Sequence, residues 1–330
     1  MILITGGAGY IGSAFGRLCS HAKRDFVVLD DLCEGHRHNV PEGQLVIGNV
    51  GDSALVERIC RSHGVTSVVH FAASCYVGVS VQKPLDYYDN NVARGVGLLR
   101  GVLNAGVRKL VFSSSCATYG QPNVELIDES ASQQPINPYG KTKLVFEMLL
   151  RDLAAARSLN ALALRYFNAA GADPSGTFGE EHVPETHVIP RALTAALDES
   201  QPFTLFGDDY PTIDGTCVRD YVHIDDLATA HLSALQLLEG GVEGFDAFNL
   251  GTGEGNSVRD LLSCIETVTG RAVPTVVMPR RLGDPPRLVA NPARAQQKLG
   301  WRAVRSDLAT IVEDAWRFAQ SHQAVRGSAP

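Results

Sequence analysis

Short apolar runs alternate along this chain with longer stretches in which apolar residues recur every three or four positions. The first run, ILI at 2–4, stops at Thr5 and passes through GGAGYIG into Ile11, Phe15, Leu18 and Cys19, one face of a helix. The same rhythm continues with FVVLDDL (26–32), GQLVIG (43–48), a helix near 53–63, VTSVVHFAA (65–73), a long helix near 82–105, KLVFSSS (109–115), a helix from about Pro138, and ALALRYF (161–167). Strands alternating with helices call for a parallel sheet with right-handed crossovers and helices on both faces. The predicted class is α/β: a doubly wound parallel sheet with a smaller α/β lobe at the C-terminal end. The boundaries expected are 1–168 for the first lobe and 169–330 for the second, with segments near 216–235 and 246–251 returning to the first.

The opening strand, glycine turn and helix carry a specific chemistry. Gly6, Gly9 and Gly12 supply a tight turn, let the backbone approach a pyrophosphate and bring the helix close to the sheet, as in the Rossmann dinucleotide fold. The helix N-terminus then offers N–H groups and a positive dipole end to phosphate. About 20 residues further on, the second strand ends in Asp30, with Asp31 beside it, where a carboxylate can bind an adenosine ribose 2′-hydroxyl. A 2′-phosphate would be repelled there, so NAD is expected rather than NADP.

Ligands of such sheets collect at the carboxyl ends of the strands. On that rule Asn49 and Val50, Phe71, Ala72 and Ala73, and Ser113 to Ser115 line one crevice with the glycine loop. Tyr139 and Lys143 in NPYGKTK are four apart on the next helix, hence on one face of it. A phenol titrates near 10, and its use as a base near pH 7 needs a shift of about three units, roughly 4 kcal/mol. Lys143 one turn away and an oxidised nicotinamide both favour the phenolate, while Ser115 can bond the reacting hydroxyl and relay its proton.

Composition narrows the picture further. The 330 residues carry a formal charge of −7, so there is no general basic field for nucleic acid, and cations that bind phosphate must be local. The seven cysteines are odd in number and scattered without CxxC or Cys/His ligand spacing, which predicts reduced thiols and no metal site. MILITGG enters a strand at once, with no basic and apolar leader, and no apolar run approaches the roughly 18 residues that span a bilayer. A cytoplasmic protein is expected, without membrane or nucleic-acid partners.

With these residues in place, the sequence resembles the nucleotide-sugar epimerases of the extended short-chain dehydrogenase/reductase family. The likeness runs through ITGGAGYIGS, HFAA, VGVSVQKPLDYYDNNV, VFSSSCATYG, NPYGKTK, LRYFNAAGADPSG, LFGDDYPTIDGTCVRDYVHIDDLA, FNLGTGEGNSV and RRLGDPPRLVA. It implies Ser115, Tyr139 and Lys143 as a catalytic trio, with Tyr10, Ile11, Asn90, Tyr166 and Phe167 joining the NAD site. It assigns Asn168, Val188, Phe206, Arg219, Arg281 and Asp284 to a UDP-sugar. The implied reaction interconverts UDP-galactose and UDP-glucose through a 4-keto sugar, with NAD retained throughout; a UDP-N-acetylhexosamine, UDP-pentose or UDP-uronic acid is the alternative substrate. A homodimer through the long helices near 82–105 and 139–157 is also implied. The chain departs from the family pattern at Cys75, Asn49 and Ala117, and Leu288 occupies a position whose size bears on N-acetylated sugars. A 4,6-dehydratase would carry an acid pair where Cys116 and Ala117 stand, and a silent dinucleotide sensor would have no need of Tyr139 and Lys143.

Overall fold

The computed structural model describes residues 1–327 except Val183 and Leu282, with side chains described as far as His322; residues 328–330 of the expected second lobe lie outside the described residues. Six strands follow the predicted runs: β1 (Ile2–Thr5), β2 (Phe26–Asp30), β3 (Leu45–Ile47), β4 (Ser67–His70), β5 (Lys109–Ser115) and β6 (Asn160–Tyr166). They pair in parallel in the order β3-β2-β1-β4-β5-β6, and the strand Phe245–Leu250 adds a seventh beside β6. The sheet reverses direction of growth at β1 and β4, and the crevice of a doubly wound sheet opens at that switch point.

Both faces of the sheet are apolar, and alternate residues of each strand serve different layers. Ile2 and Ile4 of β1 pack with Phe15 of α1 (Tyr10–His21), while Leu3 between them packs with Val56 of α2 (Ser53–Ser62) on the opposite side. The second layer also contains Leu98 and Val102 of one helix and Phe146 and Leu150 of another, described below. A separate cluster built on Leu193, Phe203, Leu261 and Ile311 forms the core of the C-terminal lobe.

The long helix expected near 82–105 is broken into pieces. α3 (Val77–Gln82) stops before Lys83, and α4 (Pro84–Tyr88) starts on Pro84; the residue before proline is pushed out of the helical region, here to φ −127° and ψ 60° at Lys83. A π turn at Asp89–Ala93 then leads into α5 (Arg94–Asn104). The turn aims the carboxamide of Asn91 at the β4 exit: its Oδ1 accepts the Ser74 N–H at 2.8 Å, and its Nδ2 donates to Thr142 Oγ1 at 3.0 Å. Thr142 lies on α6 (Pro138–Ala155), which begins with Asn137 as N-cap, its side chain accepting the Gly140 N–H at 2.8 Å, and Pro138 in the first turn. α7 (Val188–Leu197) belongs to the C-terminal lobe, and α8 (Ile224–Glu239) returns to cover the sheet beside α1.

Candidate active site

The strand ends open into a cleft of about 1010 Å³ between the sheet and the C-terminal lobe. That is at the top of the range for a single small-molecule pocket, large enough for two ligands in line. One end is the glycine loop. Gly6 takes a positive φ of 71°, and a Cβ there would lie 2.5 Å from the Ala72 backbone nitrogen. A Cβ on Gly12 would come within 2.2 Å of the Gly6 carbonyl, so the close packing of helix on loop excludes any side chain at both positions. No side chain caps α1 at Gly9, which leaves the first N–H groups of the helix to the cleft.

Asp30 closes this end. Its carboxylate accepts the Ala8 N–H at 3.0 Å and the Leu32 N–H at 2.9 Å, which fixes its orientation. Burial raises its pKa, and those backbone bonds pull the other way. Asp31 pairs with Arg94 at 3.6 Å. These features fit a dinucleotide: bare N–H groups for the diphosphate, two positions too tight for a Cβ, and a held carboxylate at the end of β2 for a ribose hydroxyl.

Further along the cleft stand Ser115 at the end of β5 and Tyr139 and Lys143 on the first turns of α6. Lys143 Nζ donates to the Ser113 carbonyl at 2.7 Å and lies 5.7 Å from the centre of the Tyr139 ring. All three side chains are buried. Desolvation opposes the lowering of the Tyr139 pKa expected from Lys143 and an oxidised nicotinamide. Burial holds the phenol well above its ordinary value, with Tyr166 and Cys75 adding to the rise and only the Ser115 hydrogen bond opposing it. The same burial pushes Lys143 down to about 8.

Of the other candidates, Tyr10, Ile11, Val50, Phe71, Ala72, Ala73, Asn90, Tyr166 and Phe167 line the cleft, as do Asn168, Val188, Phe206, Arg219, Arg281, Asp284 and Leu288. Arg281 lies over the Phe206 ring at 3.8 Å from its centre. Arg219 donates to the Val218 and Pro285 carbonyls at 2.9 and 2.8 Å, anchoring one side of its guanidinium. Two residues are not in the lining. The Asn49 side chain turns back to accept the Gly51 N–H at 2.7 Å, and Ser113 is fully buried behind Tyr166, whose hydroxyl it meets at 2.9 Å.

Some residues at the site escaped the sequence reading. Glu147, one turn past Lys143, is fully buried; it takes the Ser114 hydroxyl at 2.5 Å and Arg165 Nη2 at 2.6 Å. This network sits directly behind the reacting end of β5, and the one signal for it was a charged residue inside the otherwise apolar ALALRYF. Glu180, His182 and His187, from the loop before α7, also reach the cleft wall beside Tyr76, with no motif to announce them.

A Rossmann sheet with a glycine-loop dinucleotide site and a Ser-Tyr-Lys constellation defines a nucleotide-dependent enzyme of the short-chain dehydrogenase type. The chain belongs to the NAD dependent epimerase/dehydratase family, whose model matches residues 2–251. It is similar to the UDP-glucose 4-epimerase of Rhizobium meliloti, 48% identical over 96% of each chain. Among solved structures it resembles UDP-glucose 4-epimerase from Brucella ovis in complex with NAD, with a TM-score of 0.93 and 47% identity over 96% of this chain and 98% of that one. It also resembles the Bifidobacterium longum UDP-glucose 4-epimerase in complex with NAD+ and UDP, with a TM-score of 0.92 and 33% identity over 98% of each.

Proposed function

We infer that the chain is an NAD-dependent 4-epimerase interconverting UDP-galactose and UDP-glucose. The observation that carries the reading is the single cleft in which the glycine loop and Asp30 lead to Ser115, Tyr139 and Lys143, and these in turn lead to Arg219 and Arg281. NAD bound on the glycine loop supplies the hydride acceptor at sugar C4 and, when oxidised, a positive charge.

In our reading Arg219 and Arg281 hold the UDP diphosphate, since guanidinium groups meet phosphate oxygens through paired hydrogen bonds. Phe206 and Val188 wall the nucleotide, and Asn168 and Asp284 supply polar contacts. Tyr139 takes the O4 proton, and Ser115, in the same cleft at the end of β5, orients O4 and relays the proton. Burial alone keeps Tyr139 protonated, so its ionisation depends on cations at close range, with Lys143 as the resident one. The arginines would keep the diphosphate anchored while the 4-keto sugar turns about that linkage, and Tyr139 would return the proton to O4 as C4 is reduced. Leu288 is buried at the cleft wall, where the size of its side chain bears on whether an N-acetylated sugar is admitted.

The division into a cofactor lobe (1–168) and a sugar-nucleotide lobe (169–330), a cytoplasmic setting and a homodimer belong to the same reading. Support for the dimer is an apolar face: Leu85 on α4 and Met148 on α6 are 81% and 51% exposed. No described helix is long and apolar enough to cross a membrane. Purified protein is expected to convert UDP-galactose to UDP-glucose without added oxidant, and UDP-N-acetylgalactosamine more slowly. Chromatography of the nucleotide sugars checks both, and no conversion by protein that retains NAD would overturn the assignment.

A further inference from the structure

The loop between the strand Asn168–Ala170 and α7 brings Glu180, His182, Glu185 and His187 together, so that one donor atom from each lies within 4.8 Å of the others. His187 Nδ1 is 2.9 Å from both Glu180 Oε1 and Glu185 Oε1. His182 Nδ1 is 3.5 Å from Glu180 Oε1 and 3.6 Å from Glu185 Oε2. The His182 and Glu180 side chains are only 10% and 9% exposed, although both sit in a surface loop.

A second observation points to a ligand. His182 Nδ1 is completely buried and directed at the two carboxylates, yet among the described residues it has no partner in hydrogen-bond geometry. An imidazole nitrogen sequestered from water without a hydrogen bond is destabilising. A cation between the four groups would use that lone pair. With zinc bonds of roughly 2.0–2.2 Å, the donors of a tetrahedral site stand about 3.4 Å apart, and the donor separations here bracket that value.

We propose that Glu180, His182, Glu185 and His187 form a closed four-coordinate site for a divalent transition cation of the zinc class. Two carboxylates neutralise the ion, and two imidazoles select a borderline metal over magnesium or calcium, which favour all-oxygen sets. Four protein ligands leave no open position, which marks a structural rather than a catalytic centre. Its effect follows from its place. His187 is the N-cap of α7, and the next residue, Val188, lines the cleft; the Tyr76 ring packs edge-on against His182 at 5.5 Å, and its hydroxyl donates to Glu34 at 2.7 Å. A cation there clamps the start of α7 to the rim of the cleft.

The competing occupant is protons. Two imidazolium ions against two carboxylates would balance the same charge, and the cluster would then take up no metal. The test uses the full-length protein, stripped of metal with chelator and dialysed against micromolar zinc chloride, with bound zinc measured by mass spectrometry. Wild type is expected to bind one zinc per chain, and the exposed-histidine variant His63→Ala the same. His182→Ala should lose affinity by more than the roughly 10- to 100-fold that outer-shell changes cost. Glu185→Gln, nearly isosteric, repeats the test should His182→Ala fold poorly by circular dichroism. Cobalt(II) in place of zinc should give the strong visible absorption of a tetrahedral site, and zinc should raise the unfolding temperature of wild type and His63→Ala but not that of His182→Ala. Failure of wild type to bind one zinc, or equal binding by folded Glu185→Gln, overturns the proposal.

Discussion

Tyr139 carries the chemistry of the proposed reaction, and its surroundings make a definite demand on it. The phenol is buried, and burial raises its pKa, so the ring is a poor base until cations gather around it. Tyr139→Phe keeps the ring and the packing on α6 but removes the proton acceptor. Its kcat is expected to fall about 10²- to 10⁴-fold, the usual worth of a positioned acid–base group, with little change in KM or in retained NAD. Steady-state kinetics on UDP-galactose, with bound nucleotide measured after denaturation, checks both parts. Turnover at the wild-type rate would remove Tyr139 from the mechanism.

Among the elements, α5 lies almost backbone to backbone against the turn that leads into α2. A Cβ on Gly97 would stand 2.2 Å from the Gly51 carbonyl, where no flexible side chain can give way. Gly97→Ala is expected to cost about 1–3 kcal/mol, the range for overpacked interiors, measured as a lowered denaturant midpoint. The face formed by α4 and α6 behaves differently, because its apolar residues point outward. Leu85→Glu should leave the fold intact by circular dichroism while shifting the proposed dimer to monomer in sedimentation; a monomeric wild type would remove that interface. These elements also show what the pattern of residues could and could not convey. Strands β1 to β6 were legible because each is a short apolar run bounded by glycine or polar residues, and Gly6, Asp30, Ser115, Tyr139 and Lys143 were legible because the fold class places them at strand ends and helix starts. The break at Lys83–Pro84 was visible as a proline but not weighed against the helical periodicity on either side of it. The turning of Asn49 toward the Gly51 N–H depends on a local hydrogen bond that periodicity does not encode. The meeting of Glu147 with Arg165 is a tertiary contact between α6 and β6, and the gathering of Glu180 to His187 depends on the path of an irregular loop.

For the molecule as a whole, two histidines buried against the sheet contribute to its response to acid. His70 ends β4, with its Nδ1 2.7 Å from the Thr5 hydroxyl, and burial pushes its pKa down to about 3. His231 on α8 donates from Nδ1 to the Leu227 carbonyl, packs on Phe71, and is pushed down to about 4 for the same reason. Each ring is held neutral in the folded chain, whereas in the unfolded chain it gains a proton near 6.5. Below that pH the unfolded state binds more protons, so stability falls as pH falls, until each folded-state pKa is reached. The slope is about 1.4 kcal/mol per pH unit for each histidine, and the two together reach about 7 kcal/mol by pH 4, comparable with the whole stability of an ordinary domain. His231→Leu should remove one proton from the balance: the difference in stability between variant and wild type, from urea titrations at pH 6.5, 5.5 and 4.5, should shift in the variant's favour by about 1.4 kcal/mol per unit of acidification. A difference independent of pH would mean that His231 takes up its proton alike in the folded and unfolded chain, against the apolar packing that surrounds it.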